Sequence, residues 1–312
     1  MIRHRIHLQG PCVSDNQLSP KAIGEVLRWL ETVVTGAVNM AFQYRSQGRG
    51  RRPDWLRNAA ELRLAGIGQE DDYAWIDIDA PTFVEAAEEY YRQPLLIGEQ
   101  PRESDTGFDL LGDVFRDVSA KIRDSSKYDL QLLKRLQALK SAESWGVTSL
   151  SFHGGRLPSV SPTAANRQLG LIADELSRET PAPRHTRLMG TLDMIRASDS
   201  GFSLTLAGSE RVFGIWLGNS RTCLSELWGK EVVVEGNSVF RPAGTLLRIE
   251  ADAMDEAREE DKVFSLAPVA DIVSTKRATK TQALRIGPAA RLGQWPSDET
   301  DDSILDALRE MN

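Results

Sequence analysis

Apolar and polar residues alternate through the opening "MIRHRIHLQG", with Ile6 and Leu8 on one face and Arg3, Arg5 and His7 on the other. A period of two marks a half-buried strand. The period then lengthens to that of a helix, as Ile23, Val26, Leu27, Leu30, Val34, Val38 and Phe42 recur along "LSPKAIGEVLRWLETVVTGAVNMAFQYR". Ser19 is placed to cap this helix and Pro20 fits its first position. Alternation returns in "AELRLAGI" and "YAWIDIDA", and the polar break "GQEDD" between them predicts a hairpin. Helical spacing follows in "FDLLGDVFRDVSAKI" and "YDLQLLKRLQALKSA", then a strand in "VTSLSFHG". A further helix, with Ser161 and Pro162 at its start, is predicted through "AANRQLGLIADELSR".

Residues 1–180 thus run β-α-β-β-α-β, the order of a ferredoxin-like α+β domain, with an additional segment near 81–105 and a divided second helix. Strands one and three are neighbours in that order, so Arg3 and Arg5 are expected to face Asp77 and Asp79. After "ETPAPRH" the texture changes. Short strands in "TRLMGTLDMIRA", "GFSLTLA" and "RVFGIWL" precede a short helix in "SRTCLSELWGK", and "EVVVEG" and "TLLRIEAD" complete β-β-β-α-β-β over 186–270. That is the order of a small OB-like β-barrel, and Gly190 suits the bend its first strand needs. Residues 271–312 lack a core pattern and read as a flexible tail.

With 312 residues and 41% hydrophobic side chains, the chain has room for two ordinary domains. A net charge of -7 opposes nonspecific attraction to phosphate backbones and anionic membranes. The sequence holds no apolar run long enough to span a bilayer and no signal-peptide core, so a cytoplasmic protein with no membrane partner is expected. Cys12 and Cys223 are too few and too far apart for a disulfide framework and read as reduced thiols. The composition leaves the oligomeric state open.

Catalytic chemistry is hard to place. Ferredoxin-like polymerase palms and nucleotide cyclases hold Mg²⁺ on acids of the first strand and the hairpin. Glu70, Asp71 and Asp72 resemble such a hairpin, but the first strand carries Arg3, His4, Arg5 and His7 instead of an acid. A Mg²⁺-dependent nucleotidyl enzyme is therefore the most distant reading. His4 and His7, three apart on a strand, point to opposite faces, and no zinc-ligand, dinucleotide or nucleophile motif occurs. No catalytic residue, metal ligand or cofactor is assigned.

A nucleic-acid-binding accessory protein is the nearer alternative. Arg49, Arg51 and Arg52 lie among glycines in "YRSQGRGRRPDW", where arginine forks can grip phosphate, and Phe240 with Arg241 fall in the loop between the last two barrel strands. The outer face of the second barrel strand would show Ser203 and Thr205, a poor stacking surface.

The tail carries the leading reading. In "GQWPSDETDDSILDALREMN" the acids stand at the start of a short helix whose Ile304, Leu305, Leu308 and Met311 line one side. A helix this short is marginal alone, so its stripe needs a groove, and with Trp295 it would anchor a protein partner by folding on binding. A folded body with such a terminal segment resembles, in organisation, prokaryotic antitoxin and immunity proteins. That resemblance implies a non-enzymatic protein that neutralises or regulates a toxin-like or antiviral-defence effector through its C-terminal segment.

Overall fold

The long helix forms as its pattern predicts. In the computed structural model, which describes residues 1–14, 17–48, 53–70, 73–91, 101–155, 163–196, 200–218 and 222–270, α1 spans Pro20–Gln43. The Ser19 hydroxyl accepts from Ala22 N–H at its start. Val26, Leu30, Val33, Val34, Val38 and Phe42 are fully buried on one side of it. Each such side chain contributes about 1.5–3 kcal/mol relative to exposure.

This helix packs, with α3 (Gly107–Ser119) and α5 (Arg167–Glu179), on one face of an antiparallel sheet. The strands are β1 (Ile2–Gln9), β2 (Arg63–Glu70), β3 (Tyr73–Ala80), β4 (Ser149–His153) and β5 (Thr163–Asn166), in the order β2-β3-β1-β4-β5. Ile6, Leu8, Ile76, Ile78, Leu150 and Phe152 point into the core shared with the helices. Between them lie α2 (Asp54–Ala59), two one-turn helices at Phe83–Ala86 and Glu88–Tyr91, and α4 (Leu130–Leu136), which tightens into a 3₁₀ segment over Gln137–Trp145.

One element departs from the sequence pattern. Thr163–Asn166 pairs with β4 as an extra edge strand, and α5 starts only at Arg167, capped by the Asn166 side chain accepting from Leu169 N–H at 3.1 Å. Ser161 and Pro162 therefore do not start this helix. Extended pairing with Ser149–Phe152 satisfies the 163–166 backbone, and asparagine makes an effective cap four residues later.

The second layer is a closed five-stranded barrel. Its strands are β6 (Arg184–Arg196), β7 (Gly201–Thr205), β8 (Arg211–Trp216), β9 (Glu231–Phe240) and β10 (Leu246–Glu256), with α6 (Thr222–Glu226) between β8 and β9. Around the barrel they run β8-β10-β9-β6-β7, and β8 with β10 is the parallel pair. At Thr191 β6 changes partner, pairing with Glu231 of β9 on one side and Thr205 of β7 on the other. Gly190 sits beside this switch, where a side chain would press on the Thr205 carbonyl and Leu206. Leu188, Leu192, Phe202, Leu204, Val234 and Ile249 fill the interior.

A short connection joins α5 to β6, and Met1–Ile272 forms one compact unit. Val239 and Leu247 of the barrel join the N-terminal core. Arg248 Nη1 donates to the Tyr44 carbonyl at 3.0 Å and lies 3.4 Å from Asp129 Oδ2, with both side chains more than nine-tenths buried. The same carboxylate accepts from Ser46 N–H and Oγ–H and from Leu132 N–H. Buried ion pairs add little net stability, but each partner would be stranded without the other, so this one fixes which surfaces meet.

Candidate functional site

Strand alternation puts a second set of side chains on the sheet face opposite the helices. From β1 these are Arg3, Arg5 and His7; from β3 they are Tyr73, Trp75, Asp77 and Asp79; from β4, His153. Arg3 and Arg5 are exposed, and the aromatic rings are half-buried.

The charged half of this face is closed on itself. Arg5 stands directly opposite Asp77 in register and donates from Nε and Nη2 to its two oxygens at 2.7 and 2.8 Å. Arg3 does the same to Asp79 at 2.8 and 3.1 Å. The sequence predicts that these two arginines face these two acids, and the register shows which pairs with which. Each guanidinium holds its carboxyl below the usual carboxylate range, with the hydrogen bond as the largest cause. Fork-to-fork pairing also fixes the arginines in place.

The other half is aromatic. The His7 ring lies 4.4 Å from His153 and 4.7 Å from Tyr73, centroid to centroid. The Arg5 guanidinium sits 4.4 Å over the Trp75 ring. Trp75 in turn covers Gly68 of β2, where a methyl group would collide with the indole. Desolvation, the His153 ring and Arg5 lower the His7 pKa, so at neutral pH the imidazole is an uncharged stacking surface. The Tyr73 hydroxyl donates to Glu70 at the rim.

His4 projects into the core behind this face. Its Nε2 is 3.0 Å from Thr106 Oγ1, whose hydroxyl hydrogen goes to Asp109 Oδ2 at 2.9 Å, so the imidazole donates from Nε2. Its ring stacks on Phe108 at 4.5 Å, and Gly154 and Gly155 press the turn after β4 against it. The expected opposite orientation of His4 and His7 holds, and the two share no site.

Of the two nucleic-acid candidates in the barrel, Arg241 lies in the expected loop between β9 and β10, whereas Phe240 does not. Phe240 is 2% exposed and belongs to the barrel interior, because the inward alternation Val232, Val234, Gly236, Ser238 continues to it. It is therefore not a stacking residue of the loop. Arg241 is turned into its own loop, donating to the Leu246 carbonyl and standing 3.7 Å from Asp124. Phe213, which points outward from β8, stacks on Tyr44 of the N-terminal layer at 3.9 Å. The outer Ser203 and Thr205 hydroxyls donate to Asp193, which also pairs with Arg211.

Arg49, Arg51, Arg52, Asp71 and Asp72 lie outside the described residues, as do Trp295, Ile304, Leu305, Leu308 and Met311. Among the described residues no cluster of three or more His, Cys, Asp or Glu side chains is set to hold a metal, and no helix is long and apolar enough to cross a membrane. Cys12 is a buried free thiol. No protein family, curated protein or solved structure matches the chain.

Proposed function

We propose that this chain is a non-enzymatic recognition protein, a ferredoxin-like domain fused to an OB-like barrel, that binds a protein partner through the open face of its N-terminal sheet. The observation that carries this reading is the cluster of His7, Tyr73, Trp75 and His153 on adjacent strands, framed by arginines already paired with Asp77 and Asp79. Tyrosine, tryptophan and arginine dominate protein-interface hot spots, where rigid rings bury area at little entropic cost. Nucleic-acid affinity instead rests on unpaired cations that displace counterions. Both arginines of the cluster have carboxylate partners. The strand orders β2-β3-β1-β4 and β8-β10-β9-β6-β7 support the two fold assignments. The tail residues Trp295, Ile304, Leu305, Leu308 and Met311 supply a second contact, and an effector held by both elements fits the antitoxin-like organisation.

A second reading is favoured by the placing of these rings on the three inner strands, β3, β1 and β4, of an antiparallel sheet, the position from which RNA-recognition sheets stack bases. One experiment separates the two. The purified protein and its Trp75→Ala variant are tested against co-expressed candidate effectors and against fluorescent single-stranded RNA. The protein reading expects effector binding that persists at high salt and weakens at least roughly tenfold in the variant. RNA binding that falls steeply with salt, without any effector bound, overturns it.

A further inference from the structure

A cavity of about 650 Å³ opens where α1 and α3 meet barrel strand β8. Met40, Ala41, Leu110 and Val114 give it an apolar lining, and the stacked Tyr44 and Phe213 rings stand beside them. Its polar residues include the cations Arg102 and Lys127 and the carboxylates Asp105 and Asp113. Arg102 is exposed and has no ion-pair partner among the described residues, whereas Lys127 Nζ is 3.4 Å from Asp117. This is the volume and mixed lining of a small-molecule site, placed at the seam between two layers.

We propose that the cavity binds a small flat heteroaromatic anion, a single ring system of nucleotide size bearing one phosphate or carboxylate. The half-buried Ala41 and Leu110 side chains and the edges of Tyr44 and Phe213 accept a planar ring. Arg102, as an uncommitted fork, is the anchor for the anionic group, with Lys127 adding positive charge. Asp105 and Asp113 in the same lining, the latter also accepting from Arg116 Nη1 at 2.7 Å, place negative charge that repels a polyanion.

The test is isothermal titration of the full chain with adenosine monophosphate and with indole-3-acetate, which separate a phosphate from a carboxylate ligand. Adenosine and indole serve as the neutral parents. Saturable one-site binding of at least one anion is expected. Ala41→Trp, which fills the cavity from α1, weakens it at least roughly tenfold. Arg102→Glu, at an exposed position that leaves the fold alone, weakens the anion by about tenfold or more and leaves the neutral parent unchanged. Failure of both anions to saturate at millimolar concentration overturns the proposal. So does anion binding that Arg102→Glu leaves intact, which decides the matter even if Ala41→Trp fails to fold.

Discussion

The Tyr44 ring lies 3.9 Å from the Phe213 ring and 14° from parallel to it, and it is presented from a left-handed backbone, φ 56°. Tyr44 is the C-cap of α1, its N–H donating to the Met40 carbonyl, a place that favours glycine because a Cβ crowds the chain there. The protein accepts this strain in exchange for a ring that bridges the helical layer and the barrel. A stacked aromatic pair contributes about 0.5–1.5 kcal/mol beyond its buried area.

A comparison of two substitutions separates the opposing terms. Tyr44→Ala loses the stack and keeps the strained backbone, while Tyr44→Gly loses the stack and relieves the strain. In urea unfolding the glycine variant is expected to be the more stable of the two by about 1 kcal/mol, with both below the native protein. An alanine variant equal to or more stable than the glycine variant would show that the backbone term is negligible at this cap.

His4 makes the fold acid-sensitive at a mild pH. Burial lowers its pKa, and Asp109 and Asp79 oppose that shift only in part. A histidine depressed in the folded state stabilises fully above its unfolded pKa of about 6.5 and progressively less as pH falls through the folded value, because the unfolded chain binds the proton more readily. Unfolding free energy is therefore expected to decline from neutral pH toward pH 5, before the Arg-paired carboxylates titrate. His7 is depressed too and adds to the slope. His4→Gln should flatten the decline, with the His7 contribution remaining; an unchanged slope between neutral pH and about 5 removes His4 from this role.

How much of this was legible in the sequence depended on distance along the chain. Local period marks β1, α1, the β2–β3 hairpin and the barrel strands, and the strand order brings Arg3 and Arg5 to face Asp77 and Asp79, with the register left to the structure. The local period missed β5, since "TAAN" is short and alanine-rich, with little β propensity to set it apart from a helix start. The aromatic cluster was within reach. Tyr73 and Trp75 share the alternation phase of Asp77 and Asp79, and His7 shares that of Arg5, which puts rings and charges on one face. The junction was not within reach, because Arg248 and Asp129 are 119 residues apart and no periodicity links them. Phe240 reads as a loop residue because the clear alternation of "EVVVEG" stops at Gly236, whereas strand β9 runs on through Phe240.

The barrel interior offers the sharpest stereochemical test. Gly214 of β8 pairs with Phe202 of β7, and any Cβ at 214 would enter the Phe202 ring, which is 1% exposed. The ring lies across the strand that lacks a side chain, so the two residues divide a single volume. Gly214→Ala should therefore cost more than an ordinary strand substitution, about 1–3 kcal/mol from overpacking, although alanine has the higher strand preference. Phe202→Leu alone should also destabilise, by opening a void. The two losses have opposite causes, excess and missing volume at the same point, and so should partly cancel in Gly214→Ala/Phe202→Leu. A double-mutant cycle by chemical denaturation is expected to give a favourable coupling of about 1 kcal/mol or more. Additive losses would mean that strand β8 moves away from the ring instead of sharing its space.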